Sequence, residues 1–436
     1  MAVPEMSDRY TQHVKPRRLS AQDWAQGAVQ LWRGLFFGVT DIVEDVHSSV
    51  LRTIGRVNPI DRQLVDRTQR VYRGVREIGD ASFIVADQAV GLAGALVPVR
   101  RGLDLGRSRL AVISALNGVL GDRMAAEGNP LAIRMGLHQA DGTEVEIDRD
   151  GLRRALGKPR KRLVVLVHGL GMNDQQWQRP GGPDLGARLV EEHGYSALYL
   201  RYNSGCHISE NGRELAALLE RLVERYPAKL QRLVIIGHSM GGLVARSATH
   251  YGREAGCRWP SELTELVCLG SPHLGAPLER LGSAFTHALT WTRFTAPFAR
   301  IGNVRSAGVK DLRYGFLVDE DWRGRDPDHP EKITPRKLRP LEGTRNYLVA
   351  ASLGRRHGDF ADRWLGDLLV PIRSATGASR KPSRRLHFND ADGRIFFGMN
   401  HFEIMNHPQV YTALSEWLHG KSRGRLRQRV KQAMGS

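Results

Sequence analysis

Cysteine is scarce in this chain. There are three in 436 residues, Cys206, Cys257 and Cys268, and they are widely spaced along the sequence. An odd number without paired spacing excludes a disulfide framework and gives none of the ligand patterns of a zinc site. We therefore expect reduced, buried thiols, and we expect neither a metal ion nor an organic cofactor.

The chain also lacks a long uninterrupted apolar segment. Residues 1–24 are polar and contain no apolar core of the kind that a signal peptide needs. The longest apolar stretch, residues 81–99, is interrupted by Asp87 and Gln88, which is more typical of a buried or interfacial helix than of a membrane span. These features predict a cytoplasmic protein, with attachment to a membrane surface as the alternative.

Acidic residues are too few to balance the basic ones. The chain has 64 Lys and Arg against 46 Asp and Glu, a net charge of +18. This excess would suit nucleic acid, anionic lipid or an acidic substrate, but no nucleic-acid-binding motif accompanies it, so no nucleic acid is expected. Residues 421–436 form a basic tail without an acid. Solvation and contact with an anionic membrane are both open for this tail.

Residues 1–125 have the pattern of a helical region separate from the rest of the chain. One helix in it has an apolar face at helical spacing, formed by Leu31, Leu35, Val39, Ile42 and Val46. Such a face needs a partner surface. We favour packing on the rest of the protein, with peripheral docking on an anionic membrane as the alternative.

From residue 126 to residue 420 the pattern is that of a catalytic α/β domain. Alternation on both sides of the Asp141-Gly142 turn predicts a β-hairpin. Apolar runs predict strands at 162–167, 197–202, 233–236, 266–269, 347–351 and 394–397. The clearest helix between them includes Leu215 and Tyr226, and we expect Asn211 to cap it. Alternating strands and helices predict a mostly parallel central sheet with helices on both faces.

The segment from 277 to 342 is too long for an ordinary connection and is predicted to be an inserted cap. Its aromatic residues, mixed with arginines and aspartates, suit a lid over an apolar cleft. We expect Trp291 and Phe294 to contact the substrate. A peripheral subdomain without contact to the site is the alternative.

The sequence Gly237-His-Ser-Met-Gly241 follows a buried strand and precedes a predicted helix. This is the form of a nucleophile elbow, in which the serine lies on a strained turn at the end of the strand. The flanking glycines, Gly237 and Gly241, allow close backbone packing. Ser239 is the predicted nucleophile, and the N–H of Met240, at a helix N-terminus, is one predicted oxyanion donor.

A serine nucleophile needs a base, and the base needs an acid, in the chain order Ser, Asp, His. Asp367 begins the apolar turn 367–371, which follows a predicted strand, and it is the preferred acid. Asp359 and Asp362 are nearby competitors.

The predicted base is His401, on the loop between the last strand and the last helix. His407 lies just before Pro408 at the expected start of that helix, and a capping or surface role suits it better. The second oxyanion donor should come from the loop after the strand ending at Val167. There the sequence His168-Gly-Leu-Gly-Met172 offers the N–H of Leu170.

Several motifs occur in a fixed order between about residues 163 and 418: HGLG, GHSMGG, GSPHLGAP, GDLLVP and MNHFEIMNHPQVY. Together they resemble the lipase and esterase branch of the α/β-hydrolases, including intracellular relatives of the GPI-inositol deacylases. The resemblance implies the α/β-hydrolase fold, with Ser239, Asp367 and His401 as a triad. It also implies that His273 borders the site without being the base. His168 is a further residue that we expect to contact the substrate.

The expected function is hydrolysis of carboxylic esters through an acyl-enzyme intermediate, with an acyl ester or lipid as substrate. Acyl transfer or thioester hydrolysis by the same residues is one alternative, because only the acceptor or the leaving group differs. A non-catalytic membrane-binding scaffold on a hydrolase fold is another.

Overall fold

A computed structural model describes residues 107–178, 184–276, 306–325, 334–354, 369–379 and 392–418, with single positions between them and between 23 and 82. The apolar face from Leu31 to Val46, nearly all of residues 81–99 and the basic tail 421–436 lie outside the described residues. Within the described part, no helix is both long and apolar enough to cross a bilayer.

Seven strands form one central sheet, in the order β1-β3-β2-β4-β5-β6-β7. The strands are β1 (Gly136–His138), β2 (Arg162–Val167), β3 (Ser196–Arg201), β4 (Arg232–His238), β5 (Leu263–Leu269), β6 (Arg345–Ser352) and β7 (Asp392–Phe397). Only β1 is antiparallel to its neighbour; the pairs from β3 to β7 are parallel. The predicted mostly parallel sheet is confirmed.

The predicted hairpin is present in shortened form at the sheet edge. After β1, His138 pairs with Glu144 across a tight turn, in which the Gly142 N–H donates to the Gln139 carbonyl at 3.0 Å. β1 then pairs with β3. The turn therefore lies at the antiparallel edge strand of the sheet.

Ten helices, apart from short 3₁₀ turns, lie in the described ranges between residues 107 and 418. They are α1 (Arg107–Ala126), α2 (Arg149–Leu156), α3 (Leu185–His193), α4 (Ile208–Arg225), α5 (Met240–Glu254), α6 (Trp259–Glu262), α7 (Ala307–Tyr314), α8 (Asp319–Trp322), α9 (Ile372–Ala375) and α10 (Pro408–Leu418). α1 lies at the end of the predicted N-terminal helical region, and α7 and α8 lie in the long segment between β5 and β6.

The sheet is buried on both faces. Along β2, Leu163, Val165 and Val167 pack with one hydrophobic cluster, which contains the buried residues of α4 and α5. The alternate residues of the same strand, Val164 and Leu166, pack with a second cluster, which contains those of α3 and α10. The continuous apolar run of β2 results from these two packed faces.

The predicted cap of α4 is wrong. The helix begins at Ile208, three residues before Asn211, and the His207 N–H is bound by the Glu210 side chain at 3.2 Å. The first-turn N–H of Ile208 donates to the Asp311 carboxylate at 2.7 Å. Asp311 lies in the inserted segment, so local spacing could not identify this cap.

Candidate active site

Ser239 lies between β4 and α5 on a strained turn. Its φ is 53° and its ψ is −121°, and it is the one non-glycine residue of the described chain with positive φ. Such a conformation costs on the order of 1–3 kcal/mol and persists only where the surroundings impose it. The predicted elbow geometry is present at the predicted serine.

Close backbone packing imposes this turn. A Cβ atom at Gly241 would lie 2.2 Å from the Val167 carbonyl oxygen, and one at Gly237 would lie 2.4 Å from the Gly242 nitrogen. Neither neighbour is a flexible side chain, so a larger residue at either position would require the backbone to move. Both glycines are therefore required by close approach, as the sequence predicted.

The predicted oxyanion donors are Met240, which directly follows Ser239, and Leu170, in the loop after β2. Met240 is the first residue of α5, and a helix leaves the N–H groups of its first turn without partners inside the helix. The loop 168–172 packs against the elbow from the β2 side: a Cβ at Gly169 would lie 3.1 Å from the Ser239 Cβ. Leu170 follows immediately in this loop.

Asp367 and His401 form a buried pair. The His401 Nδ1 lies 2.7 Å from the Asp367 Oδ2, and the two side chains are 3% and 1% exposed, respectively. The other carboxylate oxygen accepts the N–H groups of Leu369 and Val370 at 3.0 and 2.8 Å. The carboxylate is thus held from both sides, with one oxygen left to orient the imidazole.

This pair and the elbow meet at the end of β5. The Ser239 N–H donates to the Leu269 carbonyl at 2.8 Å. The next residue, Gly270, packs on the pair: its Cβ would lie 3.2 Å from the His401 ring. His238 also contacts His401 directly, since its Nε2 lies 3.0 Å from the His401 carbonyl oxygen. The three predicted triad residues therefore lie at the carboxyl ends of the strands, on the same side of the sheet.

The residues that compete for the acid and base roles are Asp359, Asp362 and His407. Asp359 and Asp362 lie outside the described residues. His407 precedes α10, where its Nδ1 accepts the Gln409 N–H at 3.3 Å and its carbonyl accepts the Tyr411 N–H. This is the capping position that the sequence predicted for it.

His168 is fully buried and both of its ring nitrogens are used within the protein. Nδ1 lies 2.8 Å from the Gly169 carbonyl oxygen, and Nε2 lies 3.3 Å from the Tyr202 nitrogen. The ring stacks on Tyr202, and burial lowers its pKa to about 4. This environment suits a neutral histidine that holds the loop. The contact of His168 with substrate stays a prediction, and its internal hydrogen bonds do not favour it.

His273 follows β5 and is also buried. Its Nδ1 lies 3.1 Å from the Arg246 guanidinium, and burial, together with that charge, holds its pKa well below the usual value. Its contact with substrate stays a prediction. Trp291 and Phe294 lie outside the described residues.

The described part of the inserted segment is joined to α4 through His207. The Asp311 carboxylate lies 3.1 Å from the His207 Nδ1, and the ring of Trp322 stacks on the imidazole. Burial raises the pKa of Asp311 to about 6. Sequence reasoning did not find this contact, because about a hundred residues separate the partners and neither lies in a motif.

The described chain contains no cluster of three or more His, Cys, Asp or Glu side chains that could hold a metal ion. All three cysteines are free thiols, and Cys268 is buried. The site therefore consists of a serine elbow, a His–Asp pair and backbone amides.

This strand order, with a serine elbow after the central β4, defines the α/β-hydrolase fold. Residues 158–327 match the family model of the PGAP1-like alpha/beta domain, so the chain is similar to that family over this segment.

Solved structures to which the chain is similar include lipases and esterases. The mature form of a Bacillus licheniformis lipase is 20% identical over 60% of this chain and 93% of its own, with a TM-score of 0.38. A Pyrococcus furiosus esterase is 14% identical over 61% and 83%, with a TM-score of 0.37. Lipase B of Aspergillus fumigatus is 11% identical over 64% and 59%, with a TM-score of 0.38. No curated protein matches the sequence.

Proposed function

We propose that this protein is a serine hydrolase of carboxylic esters. The observation that carries the proposal is the strained conformation of Ser239 at the edge of the sheet where the buried His401–Asp367 pair lies. A strained serine, a histidine and a carboxylate that orients it are the groups that acyl transfer to water requires.

In this mechanism, His401 takes the proton of the Ser239 hydroxyl as the serine attacks the ester carbonyl. Asp367 accepts the Nδ1–H of His401, fixes the tautomer and stabilises the imidazolium that forms. The N–H groups of Met240 and Leu170 bind the oxyanion of the tetrahedral intermediate. His401 then protonates the leaving alcohol, and water releases the acid from Ser239 by the same steps in reverse order.

We also propose that the inserted segment binds the acyl chain of the substrate. Burial of each methylene of an acyl chain stabilises the complex by about 0.8 kcal/mol, so an aromatic cap favours medium or longer chains over acetate. A chain-length series of p-nitrophenyl esters measures this preference. If the double variant Trp291→Ala/Phe294→Ala has an unchanged chain-length profile, the inserted segment does not bind the acyl chain.

Ser239→Ala tests the reaction itself. Loss of a triad nucleophile costs a factor of about 10⁶ in kcat, so the variant should be inactive on every ester of the series. A fluorophosphonate probe should label the wild type at Ser239 and leave the variant unlabelled.

Ser261→Ala is the matched control. Its hydroxyl donates to the Arg258 carbonyl on the surface, outside the residues that form the site, so activity and labelling should equal those of the wild type. Activity retained in purified Ser239→Ala, or labelling at another serine, would contradict the proposal.

A further inference from the structure

Helix α1 lies outside the matched family domain, yet it packs on the loop after β3. The Asn203 side-chain amide donates to the Gly121 carbonyl at 2.8 Å. The approach is close, since a Cβ at Gly121 would lie 1.9 Å from the Asn203 Oδ1, and one at Gly205 would lie 2.1 Å from the Asn117 carbonyl oxygen. The backbone of the helix therefore lies directly against this loop.

Helix α7 of the inserted segment completes the same contact. Its N-cap Ser306 donates from Oγ to the Gly118 carbonyl at 2.7 Å, and the Ala307 N–H donates to Asp122 at 2.9 Å. The Gly308 N–H donates to the Gly205 carbonyl at 2.9 Å. We call residues 117–122, 203–206 and 306–308 the α1 junction.

The α1 junction contacts the surroundings of both predicted oxyanion donors. On one side, the Ser204 Oγ accepts the Gly171 N–H at 2.8 Å, one residue after Leu170. On the other side, a Cβ at Gly308 would lie 3.0 Å from the Met240 side chain. A shift of α1 would therefore move the loop that carries Leu170 relative to the elbow.

We propose that the α1 junction is a positioning element that fixes the oxyanion loop, and that Ser204 transmits its effect to Leu170. The proposal rests on the proposed function, because it concerns the hole that binds the tetrahedral intermediate. Oxyanion donors act only where they are held in advance at the position of the developing charge. Neither Ser204 nor α1 touches the reacting atoms in the proposed mechanism.

Ser204→Ala removes the hydroxyl that holds Gly171 and nothing larger. We expect kcat to fall about tenfold, less than the factor of about 10² to 10³ that results from loss of a donor itself, and KM to change less than about twofold. A trifluoromethyl ketone inhibitor, whose serine adduct places an oxyanion in the hole, should bind more weakly by the same factor as kcat falls.

Asn129→Ala is the matched control. This buried side chain makes two hydrogen bonds, to the Gly27 carbonyl and from the Leu131 N–H, and it lies beyond the C-terminal end of α1 and outside the junction. It should lower the melting temperature and leave kcat and ketone affinity unchanged. Equal losses in Asn129→Ala and Ser204→Ala would overturn the proposal, as would unchanged kcat and ketone affinity in Ser204→Ala.

Gly121→Ala tests the contact from the side of α1. It should lower kcat more than Ser204→Ala does, and adding Asn203→Ala should bring kcat back to the value of Asn203→Ala alone by removing the clashing atom. A double variant as slow as Gly121→Ala would overturn the proposed role of this contact in positioning the oxyanion loop. If Gly121→Ala does not fold, Ser204→Ala still decides. A wild type without esterase activity overturns the proposed function and this inference with it.

Discussion

The nucleophile side and the acid–base side of the site are built in different ways. Around Ser239 the packing is backbone against backbone, with no room for a Cβ at Gly241. Around His401 the geometry comes from a side-chain hydrogen bond to Asp367, 34 positions earlier in the sequence. In the same loop, a Cβ at Gly398 would lie in open space. One half is thus fixed by steric exclusion, and the other by polar partners that are distant in the sequence.

The difference predicts how each side of the site responds to substitution. A backbone that has no free volume cannot adjust to a larger residue, whereas a polar pair beside an open loop loses function without losing the fold. Substitutions of the glycines on the nucleophile side should therefore affect stability, and substitutions on the acid–base side should affect rate.

The largest expected effect is on rate, at the base. His401→Ala should lower kcat by a factor of about 10⁶, as loss of the serine does, because the two residues act as a unit. His407→Ala is the matched control and should be mild, since that residue only caps α10. Steady-state hydrolysis of a p-nitrophenyl ester measures both. An inactive His407→Ala beside an active His401→Ala would reverse the assignment of the base.

The acid should come next. Asp367→Asn keeps the size of the side chain but favours the wrong tautomer of His401, so kcat should fall by about 10⁴. The melting temperature should change little compared with this loss. If Asp367→Asn keeps nearly full activity, another residue serves as the acid. Asp359 and Asp362 would then be the two to test.

A pair of glycine substitutions tests the comparison directly. Gly241→Ala places a Cβ against the Val167 carbonyl and should lower the free energy of unfolding by about 3 kcal/mol. Gly398→Ala has φ of +69° but no atom within 4 Å of the new Cβ, so only about 1 kcal/mol is expected. Chemical denaturation of both variants measures the difference. Equal losses would contradict the view that the two halves are held differently.

The smallest effect concerns the contact between the inserted segment and α4. Burial opposes the charge on His207, but the hydrogen bond and charge of Asp311 raise its pKa above the usual value. The contribution of the charged imidazole is therefore present below about pH 6.5 as long as Asp311, whose own pKa is about 6, is ionised, and it is lost as the pH rises through the raised pKa of His207. It is on the order of 1 kcal/mol.

Thermal unfolding at about pH 6 and about pH 9 of the wild type and His207→Gln measures this contribution, since the raised pKa of His207 means that its charge is lost as the pH rises. The wild type should lose more stability between the two pH values than the variant does. The same pH dependence in both proteins would show that this imidazole does not carry the effect.

Sequence reasoning was sufficient wherever the cause was local. The strands were predicted to within a few residues because their apolar runs are continuous, and the elbow was predicted because its glycines lie close together in the sequence. The Asn211 cap was wrong because the amides at the start of α4 are bound by Glu210 and by Asp311, a residue about a hundred positions away.

The candidate site followed the same rule. Chain order suggested Asp367 and His401, but only the folded chain brings them to 2.7 Å. Nothing in the sequence indicated Ser204 or the packing of α1 on the loop after β3, because glycine contacts between distant segments leave no periodic pattern.

The position of His401 in the chain has a consequence during translation. It follows His238 by 163 positions and lies after β7, the edge strand of the sheet. At about 5–20 residues per second, the ribosome needs roughly 8–30 s to make that stretch. The nascent protein would carry the serine without its base for that time. Under the proposed mechanism, hydrolysis would therefore begin only when the last strand has joined the sheet.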